Sequence, residues 1–284
     1  MPPLYHEGVI KPSSFASASS FMRLFLAVLL ALGALRASAA PCGEPTSHGL
    51  RVEALDERLE ITLEDGRLLR LAGIERPRPS PQDPGRPART RDQLRAWLLR
   101  TDLRVDLELL AAVPDRWNRL PARLFAPGGD GTTQSVAEAV VEAGLARVEI
   151  DPLARPCLRP LLALEAKARR EGLGLWRDPA FAVAQAADRA GLAARAGEVL
   201  LVEGLVSGVG ATASRTYVNF GPIRTIDFAA TVGRNNLAAF EKSGVILAQL
   251  SGKVVRVRGL LETQFGPQIE LADPEAIELA AGAR

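Results

Sequence analysis

Apolar and polar residues alternate along residues 49–55, 58–64 and 67–75, and this period of two predicts three strands. Glu64-Asp65-Gly66 supplies the turn between the last two. Pro77, Pro79, Pro81, Pro84 and Pro87 then predict a loop. From Thr90 to about Leu99 the period changes, with Leu94, Trp97 and Leu98 at helical spacing. Two further strands are expected near 103–110 and 119–126, followed by a turn at 127–131. Ser135 is placed to cap a helix with Val136, Ala139, Val140 and Ala143 on its apolar face, ending at Gly144. A last helix is expected over 158–171, burying Leu161, Leu162, Leu164 and Ala168.

An alanine-rich helix expected near 181–195 makes residues 181–196 a helical linker. Strand patterns return at 199–206, 216–220, 225–232, 254–261 and 269–271, and 237–250 reads as helix broken at Gly244. The expected fold class is mainly β with α (α+β). Residues 45–180 would form an OB-type five-stranded barrel with packed helices, and residues 197–284 a second small OB-like β-barrel. Tyr217-Val218-Asn219-Phe220-Gly221 is the most distinctive phrase of the second domain, and no internal repeat is visible.

The 284-residue chain is long enough for two such cores. Residues 1–39 read as a secretory signal peptide, with Met22 an alternative start: Met22-Arg23, an apolar run from Leu24 to Leu35, then Ala37-Ser38-Ala39. That run is short for a membrane span, so the mature chain is expected to be exported, periplasmic or secreted, with no transmembrane segment. An uncleaved anchor is the alternative. Without residues 1–39, which hold three basic residues and one acid, 32 basic and 32 acidic residues remain. This balance excludes broad polyanion gripping and leaves only local nucleic-acid contact. The one basic concentration, eight arginines between 76 and 104, reads first as a solvated loop and helix. Two cysteines, Cys42 and Cys157, permit one disulfide in an oxidising compartment, or two free thiols.

Three phrases carry further chemistry. They are Leu-Leu-Arg-Leu-Ala-Gly-Ile-Glu-Arg-Pro at 68–77, Asp-Arg-Trp-Asn-Arg-Leu-Pro-Ala-Arg-Leu-Phe at 115–125, and Leu-Glu-Ala-Lys-Ala-Arg-Arg-Glu-Gly-Leu-Gly-Leu-Trp at 164–176. In this order, over roughly residues 48–180, the chain resembles the staphylococcal nuclease-like (thermonuclease) family. The resemblance implies the same barrel with helices. It implies phosphodiester hydrolysis of DNA or RNA with Ca²⁺ if the site is active, with Arg70 and Arg119 as the catalytic, phosphate-binding guanidiniums. Guanidinium suits that task because it stays protonated and can grip two phosphate oxygens at once. Asn118 replaces a family glycine, as a residue that visits left-handed turns readily can.

The acids depart from the family's pattern. Glu75 keeps a carboxylate at one metal position, but Arg78 occupies the usual general-base position and cannot accept a proton. Counting back from Arg70 puts Leu59 at the family's first metal aspartate, with Glu57 two residues away. One carboxylate of three holds Ca²⁺ poorly. Losing a positioned base costs roughly 10²–10⁴-fold in rate. The expectation is a degenerate nuclease domain binding a phosphate-bearing or protein partner, with nucleic acid or nucleotide phosphate at Arg70 and Arg119 and no cofactor assigned. For the two arginines, inherited barrel salt bridges are the competing reading. The alternative function is an active metal-dependent phosphodiesterase or endonuclease whose Glu75 carries the metal, with Glu57, Asp83 or Asp115 completing the site.

Other groups carry less. His6 precedes the expected cleavage site and His48 stands alone, so neither makes a metal site or a triad. Trp117 and Trp176 are expected to pack on the barrel. Tyr217, Phe220 and Phe228 could stack bases but read first as core, having few basic neighbours.

Overall fold

A computed structural model describes residues 42–127 and 133–280. The expected signal peptide, Met22, His6 and the centre of the 127–131 turn lie outside them. Among the described residues, fourteen strands and five α-helices form two sheets with separate hydrophobic cores. The expected mixture of β and α structure is what the chain adopts.

The first sheet contains β1 (Ser47–Leu55), β2 (Glu60–Leu63), β3 (Leu68–Leu71), β4 (Arg104–Leu109), β5 (Leu120–Pro127) and β6 (Thr133–Ser135). Ile61, Leu63, Leu69 and Leu71 point inward at alternate positions, as a period of two requires. The order is β3-β2-β1-β4-β5-β6, and β3 also pairs with β5, closing the sheet into a barrel. That closure matters for the site. Glu60 lies opposite Arg70, and Leu69 opposite Leu120, so Glu60, Arg70 and Arg119 come to one end of the barrel.

Helix α1 (Arg86–Leu98) starts four residues earlier than its apolar pattern suggests. Pro87 belongs to its first turn, where a missing N–H costs nothing, rather than to the preceding loop. In α2 (Val136–Glu142) the Ser135 side chain accepts the Glu138 N–H at 3.3 Å, the expected cap. Helix α3 (Arg155–Arg170) packs Leu158, Leu161 and Ala168 inward. Cys157 on α3 is bonded to Cys42 across a separation of 115 residues. Closing so long a loop stabilises by about 4 kcal/mol in the chain-entropy account.

The segment 181–196 is not one helix. It holds β7 (Ala184–Gln185), which pairs with the next strand, and α4 (Arg189–Ala193), whose cap Asp188 accepts the Gly191 N–H. The chain is thereby stitched to the second sheet before that sheet begins, which a propensity reading of alanines does not foresee.

The second domain is a β domain. It comprises β8 (Val199–Leu205), β9 (Gly208–Ala211), β10 (Arg215–Asn219), β11 (Ala229–Gly233), β12 (Val254–Glu262), β13 (Gln268–Glu270) and β14 (Ile277–Leu279), with α5 (Leu237–Lys242) between β11 and β12. The order is β7-β8-β12-β13-β11-β10-β9, with β14 on β12. α5 stops before Gly244, which takes φ 84°, so the expected break is present. Phe228 and Phe240 are fully buried, and the rings of Phe220 and Phe228 lie 5.1 Å apart. Tyr217 points to the other face of the sheet.

Candidate functional site

An open cleft of about 700 Å³ lies at the end of the first barrel where β3 and β5 meet, and five arginines and four carboxylates line it. Arg70 and Arg119 both reach this cleft, and both meet acids there. Arg70 Nη1 donates to Asp151 Oδ2 at 2.9 Å, with Glu149 Oε2 at 3.8 Å. Asp151 is buried, and its other oxygen accepts the Leu153 N–H at 2.9 Å, capping a short 3-10 turn.

Arg119 is more enclosed still. Its side chain is 4% exposed. Nε and Nη2 donate to Asp115 Oδ2 at 3.0 and 2.7 Å, and Nη1 donates to Glu60 Oε1 at 2.6 Å. The turn before β5 builds this clamp. Asp115 Oδ1 accepts the N–H groups of Trp117 and Arg119, and Asn118 takes the left-handed φ of 61° that closes the loop. The Arg119 hydrogen bond, foremost, holds the Asp115 carboxyl down to about 2, and in turn raises the Arg119 guanidinium.

Glu75 is taken as well. Arg147 donates from Nε to Oε2 at 2.7 Å and from Nη2 to Oε1 at 2.9 Å, while Arg78 Nη2 stands 2.9 Å from Oε1. Arg147 is buried, and its desolvation lowers its pKa against the pull of Glu75. Two guanidiniums thus face the lone pairs that a cation at Glu75 would need. Arg78, at the usual general-base position, serves that clamp and reaches the Val199 carbonyl at 3.4 Å.

The other expected acids do not repair the set. Leu59 is a core residue, 2% exposed. Glu57 faces Arg91 at 3.4 Å, away from the cleft lining. Asp83 pairs with Arg86 and Arg89. No group of three or more His, Cys, Asp or Glu side chains is placed to hold a metal ion among the described residues. The residues present do not fit Ca²⁺: Glu75, Asp115 and Asp151 are hydrogen-bonded to guanidiniums, which leaves Glu149 as the one open carboxylate lining the cleft among the described residues.

What stays accessible differs from what the motifs single out. Arg58 and Arg76 line the cleft, are exposed, and have no carboxylate within 4.0 Å among the described residues. Trp117 does not pack on the barrel. It is 55% exposed, with the guanidinium carbons of Arg116 and Arg119 4.0 and 4.7 Å from its ring centre. Glu149 is 53% exposed on the wall, yet the desolvation of its surroundings lifts its carboxyl above the ordinary range, against the pull of Arg70. Sequence reasoning passed over Glu60, Glu149 and Asp151. The strand register of Glu60 against Arg70 carries a signal for the first; the other two enter from the segment before α3, with no motif to mark them. The lone His48 is exposed, its Nδ1 3.3 Å from Asp106.

Residues 68–178 match the family model described as staphylococcal nuclease homologue. The similarity is to that family's domain and covers those residues alone. The match begins at Leu68, so the segment 56–59 lies before it. No curated protein matches the chain.

Proposed function

We propose that this staphylococcal nuclease homologue domain binds the phosphates of single-stranded nucleic acid at its barrel-end cleft without hydrolysing them efficiently. The observation that carries the reading is the double clamp of Arg147 and Arg78 on Glu75. It removes the one carboxylate kept at a metal position, and Arg78 cannot act as a base. Binding then falls to Arg58, Arg76 and the partly exposed Arg70, with the Trp117 ring available to stack on a base. We propose further that the chain is exported. The amino-terminal signal pattern and the Cys42–Cys157 bond both suit an oxidising compartment.

Active hydrolysis is the second reading, and Glu149 favours it. It is a solvent-facing carboxylate with a raised pKa, 3.8 Å from Arg70, as a general base would be. One assay separates the two. The purified protein is incubated with single-stranded DNA and Ca²⁺, beside Arg70→Ala and Glu149→Gln variants. The binding reading expects DNA retention that weakens in Arg70→Ala, with no cleavage. Cleavage lost in both variants would overturn it.

A further inference from the structure

The second domain has a cleft of its own, about 440 Å³, far larger than a water site and large enough for one small ligand. It lies on the sheet face turned away from the core. Val218, Ala230, Val232 and Ile269 are fully buried on the inner side, so the alternate positions Arg215, Tyr217, Asn219 and Gln268 share the outer one. Asn219, Ala229 and Gln268 stand in register across three strands.

Three observations mark this face as built for a ligand. Gln268 lines the cleft while only 8% exposed, and its amide makes no hydrogen bond within the protein among the described residues. Its amide atoms are not sealed from solvent, so the polar edge of a ligand in the cleft can reach them. Phe265, at the rim, is 71% exposed, yet its turn is fixed. A Cβ on the next residue, Gly266, would lie 2.6 Å from the Thr225 backbone, and Thr225 itself is held at φ 67°. A β-branched residue in that region is strained, and such strain clusters at ligand clamps.

The charge is one-sided. Arg224 has no carboxylate within 4.0 Å among the described residues, and Arg215 meets only the half-exposed Glu270 at 3.4 Å. The lining acid Asp227 is already held by the Ile223 N–H and by Arg189, which lower its pKa in that order against desolvation.

We infer that this cleft is a nucleotide site separate from the barrel-end cleft. Phe265 and Tyr217 flank the base, Gln268 meets its polar edge, and Arg224 with Arg215 takes the phosphate. A free nucleoside monophosphate and the 5′-phosphorylated end of a strand offer the same chemistry.

Adenosine monophosphate, inorganic phosphate and a 5′-phosphorylated pentanucleotide are titrated calorimetrically into the purified protein and its variants. The site predicts saturable binding of the mononucleotide, weakened about tenfold by Phe265→Ala and by Arg224→Ala, and unchanged in Arg70→Ala. Both altered side chains are exposed, and circular dichroism checks that the fold is kept. In the Arg70→Ala background, pentanucleotide binding tighter than that of the mononucleotide and weakened by Phe265→Ala assigns the site to strand ends, and tighter mononucleotide binding weakened by Phe265→Ala assigns it to free nucleotide; either supports it. Three results would overturn it: no saturable binding, phosphate binding as tightly as the nucleotide, or binding lost in Arg70→Ala and kept in Phe265→Ala. The last places the ligand in the first cleft. Failure here leaves the DNA-retention result, which turns on Arg70, untouched.

Discussion

Glu165 on α3, fully buried, is ion-paired with Arg258 on β12, itself 6% exposed. The pair joins the two domains. Arg258 Nη1 also donates to the Val148 carbonyl at 2.7 Å, and Glu165 Oε1 accepts the Val148 N–H at 3.0 Å. For Arg258 the largest influence, desolvation, lowers the pKa, but Glu165 and further acids outweigh it and the guanidinium stays charged. Neither partner can lose the other cheaply.

Glu165→Ala leaves that guanidinium buried without its counter-charge, and should lower unfolding free energy by about 3–5 kcal/mol. The double variant Glu165→Leu, Arg258→Met removes both charges and should recover most of the loss. Urea denaturation of the three proteins measures both effects. A double variant no more stable than Glu165→Ala would contradict the account.

Acid should loosen the first barrel through Asp115. Its folded pKa of about 2 lies below the unfolded value, so its contribution is present above about pH 4. That contribution fades as pH falls from about 4 towards 2. Asp115→Asn should be less stable than the native protein at pH 6, with the gap narrowing by pH 2.5. Thermal melts at the two pH values measure the gap, and a constant gap would rule out this linkage.

Arg70 is held back from anions by Asp151. Asp151→Asn removes the charge yet keeps an oxygen able to cap the turn at Leu153. Freed of its charged partner, Arg70 should bind a single-stranded oligonucleotide about tenfold more tightly at low salt. Fluorescence anisotropy reads the change. Unchanged affinity would mean that Arg70 does not meet the phosphates.

Much of the first barrel was legible in the sequence because one sheet face is buried. Ile61, Leu63, Leu69 and Leu71 alternate with half-buried positions, and Ser135 marks its helix start chemically. The short strands β6, β9 and β14 were not. Three or four residues give too little alternation to distinguish strand from loop. At the site, the phrases around Arg70 and Arg119 pointed to the right end of the barrel. They could not reveal Arg147, which reaches Glu75 from 72 residues away, or Asp151, which reaches Arg70 from 81. Contacts at such range follow from barrel closure, and no local spacing encodes them. Trp117, expected to pack on the barrel, is instead carried outward onto arginine by the Asp115 turn.

Everything proposed for the barrel-end cleft depends on carboxylates already satisfied by guanidiniums. Calorimetric titration of Ca²⁺ into the purified protein, repeated with Glu75→Gln, tests this most directly. The account predicts no saturable binding below millimolar Ca²⁺ in either protein. A saturable site in the native protein that Glu75→Gln abolishes would contradict it.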